Sequence, residues 1–174
     1  MVMDSRTRLV EATQDLLWEQ GYSATSPKDI MRRSGAGQGS MYHHFTNKQE
    51  LAVVALECSA QSMRHDTEKL LATDGSAYEI ATAYLRRQRD VLKGCRMGRM
   101  TFDADVLNTP ELIEPVKRTF VWLLEALTVL FERGRDQGEF AADIDARNLA
   151  SLVVATVQGG YVLARATRDT DAFD

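Results

Sequence analysis

Proline is scarce in this chain: three occur in 174 residues, at Pro27, Pro110 and Pro115. No strand-like alternation bounded by hairpin turns accompanies them, so a β-sandwich or barrel is excluded and helices are left uninterrupted. Cysteine is scarcer still. Cys58 and Cys95 form no CxxC pair, which excludes a zinc ribbon or redox dithiol. They read as small buried thiols. No apolar run reaches about 18 residues, so no membrane span is expected. Met1–Arg8 is polar and charged and lacks the apolar stretch of a signal peptide; a cytoplasmic location is expected.

The formal net charge is −4, which by itself disfavours a polyanion partner. Its distribution does not. Between Lys28 and Lys48 lie four cations, Lys28, Arg32, Arg33 and Lys48, against the single anion Asp29, a local net of +3. A short basic segment in an otherwise acidic chain is the electrostatic pattern of a local anion-binding surface.

Apolar residues recur at helical spacing nearly throughout, so the fold class is all-α. The first helix is predicted from about Asp4 to Gln20, carried by Leu9, Ala12, Thr13, Leu16 and Leu17 and stopped at Gly21. Ser26-Pro27 with Asp29 gives the second helix a cap, a preset first residue and the reciprocal acid of a capping box. Ser34-Gly35 stops that helix early. A third short helix is predicted over about Gln38–His44. Asn47 and Glu50 cap a long fourth helix to about Leu71, with a stripe of Leu51, Val54, Ala55 and Cys58. Thr73–Ser76 is a loop. A helix through Ile80–Leu92 ending at Lys93-Gly94, and another over Cys95–Leu107, are expected to follow. The last two helices, about Val116–Gln137 and Asp145–Arg168, carry apolar stripes too wide for one core.

Two short helices joined by Gly35-Ala36-Gly37 form a helix-turn-helix over about residues 26–45. Met41 and Phe45, four apart, anchor its second helix. Gln38 and Ser40 lie at that helix's N-terminal end, where side chains reach base edges; Gln can pair bidentately with adenine, and Ser with either base type. Gly39 carries no side chain, so its backbone can approach DNA closely.

The segment Ile30–Leu51, read as IMRRSGAGQGSMYHHFTNKQEL, resembles the DNA-binding domain of TetR-family regulators, and Gly21–Ser26 resembles the approach to that family's second helix. The match covers about residues 4–60. Gly94-Cys95-Arg96-Met97-Gly98 resembles a subgroup that includes LmrA- and YxaF-type repressors. The resemblance implies a three-helix DNA-binding domain over residues 1–50, joined by a long helix to a ligand-binding and dimerisation domain over residues 51–174. It implies a homodimeric repressor of double-stranded operator DNA, released by a small-molecule effector. It also implies roles: Ser26 capping the second helix and touching a phosphate, Gln38 and Ser40 facing bases, and Tyr42, His43 and His44 meeting phosphates or thymine methyls. Lys48 would grip a phosphate. Gln38 stands where many members carry Lys, and Pro27 stiffens the second helix's start.

Blander readings stand beside these. Tyr42 is alternatively a core aromatic, His43 and His44 solvated residues, and Lys48 an ordinary exposed lysine, although its place beside a capping box favours the functional reading. As metal ligands the two histidines are poor, since helix neighbours point apart; no metal and no cofactor is expected. For the effector, Tyr84, Met97, Met100, Phe120 and Tyr161 are the candidate lining, suited to an apolar or aromatic molecule. The wide stripes of the last two helices point to a homodimer interface. No nucleophile elbow, zincin or phosphate loop supports an enzyme. A helical interaction protein without DNA affinity is the remaining alternative.

Overall fold

The structure is a computed structural model that describes residues 4–171. Among them all regular structure is helical, in the order α1 (Ser5–Gln20), α2 (Pro27–Ser34), α3 (Gln38–His44), α4 (Lys48–Leu71), α5 (Ala77–Arg86), α6 (Arg96–Met100), α7 (Ala104–Asn108), α8 (Pro110–Asp136) and α9 (Ala146–Thr167). The all-α expectation holds.

Local chemistry sets most boundaries. Asp4 caps α1, accepting from Thr7 N–H at 2.8 Å. In α2 the capping box is complete, because Ser26 Oγ accepts from Asp29 N–H and Asp29 Oδ2 accepts from Ser26 N–H. Gly35, at φ +66°, turns the chain out of α2 in the left-handed region where a side chain would be strained. At the start of α4 Asn47 Oδ1 accepts from Glu50 N–H at 2.9 Å, while the Glu50 carboxylate reaches one residue past the expected box, to Thr46 N–H at 2.7 Å. Ser76 and Glu79 form a second complete box that starts α5 earlier than the periodicity suggested.

Two helices end where sequence periodicity does not. α5 stops at Arg86 and does not run on to Leu92, because the Arg89 guanidinium folds back onto its last carbonyls. It donates to Leu85 O at 2.6 Å and Arg87 O at 2.9 Å, and also to Tyr84 O. The stretch expected as one helix over Cys95–Leu107 is two, α6 and α7, since Asp103 accepts from Asp105 and Val106 N–H and so begins a new helix. Cys58 is exposed and Cys95 half-buried, in place of the buried thiols expected. The buried stripe of α4 runs through Leu51, Ala52, Ala55, Leu56 and Ser59, and Cys58 falls off it.

The chain folds as two compact units. The first comprises residues up to Gln61 together with Arg96–Lys117; the second comprises Ser62–Cys95 and the chain from Arg118 onward. In the first, Leu9, Ile30, Met41, Leu51, Met97, Met100, Val106 and Leu112 are fully buried. The second is built on one apolar cluster from α5, α8 and α9, including Ile80, Tyr84, Leu127, Phe131, Ala150 and Val157. Gly134 permits a close approach there: a Cβ on it would lie 2.5 Å from the Phe140 ring and 2.7 Å from Ala77 Cβ.

Candidate nucleic-acid interface

α3 is held from below and bare above. Met41 and Phe45 are 0% and 2% exposed, so the expected anchors are buried. Gln38, Gly39, Tyr42 and His43 are exposed, and Ser40 and His44 are half-buried. Tyr42 is 49% exposed, which removes the core-aromatic alternative. A Cβ added at Gly39 would meet nothing within 4 Å, and its φ lies outside the left-handed region. The fold therefore has no use for a glycine there. His43 and His44 stack edge-on with centroids 5.0 Å apart, and His44 Nε2 is hydrogen-bonded to Ser5 Oγ of α1 at 2.9 Å.

The cations are less available than their count suggested. Arg32 pairs with Asp29 at 2.6 Å and Arg33 with Glu19 at 2.7 Å. Lys48 is turned inward. Its ammonium donates to Tyr22 O and Thr25 O, both at 3.1 Å, and lies 3.8 Å from the Tyr22 ring centroid. Burial pushes it below the ordinary lysine range, with the charges of Asp105 and Asp103 pulling the other way. Of the three ammonium protons, two are thus committed to the α1–α2 turn. Ser26 Oγ is likewise engaged, donating to Asp29 Oδ2 at 2.6 Å.

Two cations were missed by sequence reasoning. Arg6 lies over the Phe45 ring at 5.5 Å, at the end of α3, and a Cβ on Gly35 would meet Arg8 Nη1 at 3.9 Å. The available signal was the alternating Ser5-Arg6-Thr7-Arg8 of the first turn, on the chain's approach to the helix-turn-helix.

The five effector candidates are divided. Met97 and Met100 are fully buried in the first unit. Tyr84, Phe120 and Tyr161 belong to the second. Tyr84 and Tyr161 gather about Arg89: its guanidinium lies 5.5 Å from the Tyr84 ring and hydrogen-bonds Tyr161. Burial pushes the Tyr161 hydroxyl up to about 12. An open cavity of about 670 Å³ lies in the same unit, lined by Gln88–Leu92 and Thr170. None of the five candidates lines it. Among the described residues no cluster of histidine, cysteine and carboxylate side chains could hold a metal.

A profile of bacterial regulatory proteins of the tetR family matches residues 9–55, and a tetracycline-repressor-like C-terminal domain profile matches residues 75–174. The chain belongs to the TetR family. Similar proteins include the HTH-type transcriptional regulator YxaF of Bacillus subtilis, 24% identical, with 95% of this chain and 87% of that protein covered. LmrA of the same organism is also 24% identical, with coverage of 96% and 89%. The crystal structure of a TetR-family regulator from Agrobacterium tumefaciens superposes with a TM-score of 0.87 at 24% identity, covering 97% of this chain and 91% of that one. The TetR-family member is therefore a DNA-binding transcriptional regulator and not an enzyme. Its likeness to YxaF and LmrA agrees with the subgroup resemblance of the Gly94–Gly98 segment.

Proposed function

We propose that this regulator represses transcription as a homodimer on a palindromic double-stranded operator and is released when a small apolar or aromatic molecule binds its C-terminal half. The observation that carries the operator reading is the bare outer face of α3, Gln38 to His43, on a helix anchored by Met41 and Phe45. Gln38 and Ser40 read base edges. Gly39 lets the backbone close in, and Tyr42, His43 and His44 meet the sugar-phosphate flank. Lys48 and Ser26 act at a phosphate beside α2 and α4, Lys48 through its one uncommitted ammonium proton. Residues 1–50 carry this contact, and residues 51–174 carry effector binding and pairing.

The pairing reading rests on α8 and α9. Leu152, Val162 and Leu163 on α9 are 63%, 52% and 56% exposed, and Val129 on α8 is 65% exposed. By length and composition α9 could cross a membrane, its apolar window having a mean hydropathy of 1.3 with 22% of it buried within the chain. A second copy covers such a face in a cytoplasmic regulator and sets two recognition helices about one DNA turn apart, roughly 34–36 Å. For the effector, Tyr84, Phe120 and Tyr161 supply apolar faces and, from the two tyrosines, hydroxyls within one unit.

Selection of bound duplexes from a random pool tests the operator reading. The expected product is a palindrome, and Gln38→Ala relaxes preference at one position of each half by about 1–3 kcal/mol if its contact is bidentate. An unchanged preference removes Gln38 from the reading set, and a pool that yields no enriched sequence overturns the operator itself.

A further inference from the structure

The helix-turn-helix begins with the turn Gly21–Ser26, and that turn is gripped from two directions. One grip is Lys48 at the start of α4. The other comes from a distant part of the chain. Ser23 N–H donates to Asp103 Oδ2 at 2.8 Å, and Ser23 Oγ donates to Asp103 Oδ1 at 2.5 Å and lies 2.9 Å from Asp105 Oδ2. A Cβ on Gly21 would sit 3.0 Å from Asp103 Oδ2, so the turn and the carboxylate are in close contact. Asp103 is also the cap of α7, accepting from Asp105 and Val106 N–H. One carboxylate thus ties the first residue of α7 to the turn that sets where α2 starts. Burial alone would push the Asp103 carboxyl up, but the hydrogen bonds from Ser23 and Val106 outweigh it and hold it below its ordinary value. A second tie lies nearby. The Arg96 guanidinium of α6 stacks 4.0 Å from the Trp18 ring of α1 and lies 3.4 Å from Asp15 Oδ1.

We propose that Asp103 is a positioning residue for operator binding: through Ser23 it holds the helix-turn-helix in its reading position. Ser23, Asp103 and Asp105 all lie in the DNA-reading unit, so the tie is made within it. Asp103 touches no base or phosphate in this scheme; its effect is made through Ser23. The inference rests on the operator reading of α3.

Hydrogen exchange on the full-length protein, with and without the selected duplex, tests both. In the wild type the duplex is expected to protect amides of residues 38–48 and also those of 96–108, since linkage makes any coupling reciprocal. Ser23→Ala keeps the charge of the surface unchanged. It is expected to keep protection at 38–48, lose it at 96–108, and weaken duplex affinity by about five- to tenfold, the scale of one charge-assisted hydrogen bond in a partly solvated site. Ser23→Thr, which restores the hydroxyl, is expected to recover both, a recovery that loss of stability alone would not predict. Protection confined to 38–48 in the wild type, or a Ser23→Ala protein with wild-type affinity, overturns the positioning role while leaving the operator reading intact. Absence of protection at 38–48 with any duplex removes both.

Discussion

Gly39→Ala should make the regulator more stable and a worse DNA binder at once. Gly39 is the second residue of α3, its φ is not left-handed, and an added methyl meets nothing within 4 Å. The fold therefore loses nothing, and the unfolded chain loses the entropy peculiar to glycine. A full helix-interior gain is about 0.5–1 kcal/mol, and at the second position of a seven-residue helix about 0.5 kcal/mol is a fair expectation. For a chain of this size that is a rise in Tm of about 1–2 °C. The same methyl points from the exposed face of a helix whose neighbours Gln38 and Ser40 are the proposed readers of base edges. If the backbone approaches DNA there, the methyl must either clash or hold the helix away. Losing the flanking contacts costs about 1–3 kcal/mol, or a factor of about 5 to 150 in affinity per half-site. Differential scanning fluorimetry and fluorescence anisotropy on the selected duplex measure the two effects separately. A Gly39→Ala protein with raised Tm and unchanged affinity would refute the close approach. A lowered Tm would show instead that the fold needs the glycine.

Lys48→Ala is expected to act twice: it removes two hydrogen bonds to the α1–α2 turn, lowering Tm, and it weakens binding to all duplexes about equally, with the salt slope reduced by about 1 per half-site. An unchanged salt slope would confine Lys48 to the turn. Tyr161 titrates at about 12 when folded against 10.0 as its ordinary value, so the folded state holds the extra proton between those limits and stability should fall as pH rises through that window. Tyr161→Phe should flatten this alkaline limb in pH-dependent urea melts, and an identical limb would contradict the burial of the hydroxyl. Leu152→Glu places a charge on the exposed face of α9 and should shift the protein toward monomer in sedimentation velocity at micromolar concentration, with helix content retained; a dimer unaffected by that charge would move the interface elsewhere.

What could be read from sequence was what nearest neighbours decide. Ser26, Pro27 and Asp29 lie within four residues, and their cap formed as its chemistry requires. Gly35 ended α2, and the four-residue spacing of Met41 and Phe45 oriented α3. The failures share a longer range. α5 was read too long because its C-terminus is satisfied by a side chain beyond it, Arg89, curling back through irregular backbone. Asp103 looks like a mid-helix residue until its partner Ser23, 80 residues earlier, is known. The inward turn of Lys48 is not legible locally, because the carbonyls that hold it are 26 and 23 residues upstream. The Ser76–Glu79 box is local chemistry, but the apolar periodicity that marks a helix begins only at Ile80.

The DNA-reading unit is discontinuous in the chain, and this bears on how such a protein can be rebuilt. Met97, Met100, Val106 and Leu112 complete its interior from a segment that begins 35 residues after Gln61. A chimaera that exchanges only the first 50 residues for those of another regulator would leave that interior half native and half foreign. The Arg96–Lys117 insert must travel with the head, or be recut to fit it. Retargeting such a regulator to a new operator is therefore better approached by changing the outer face of α3 in place than by transplanting its N-terminus.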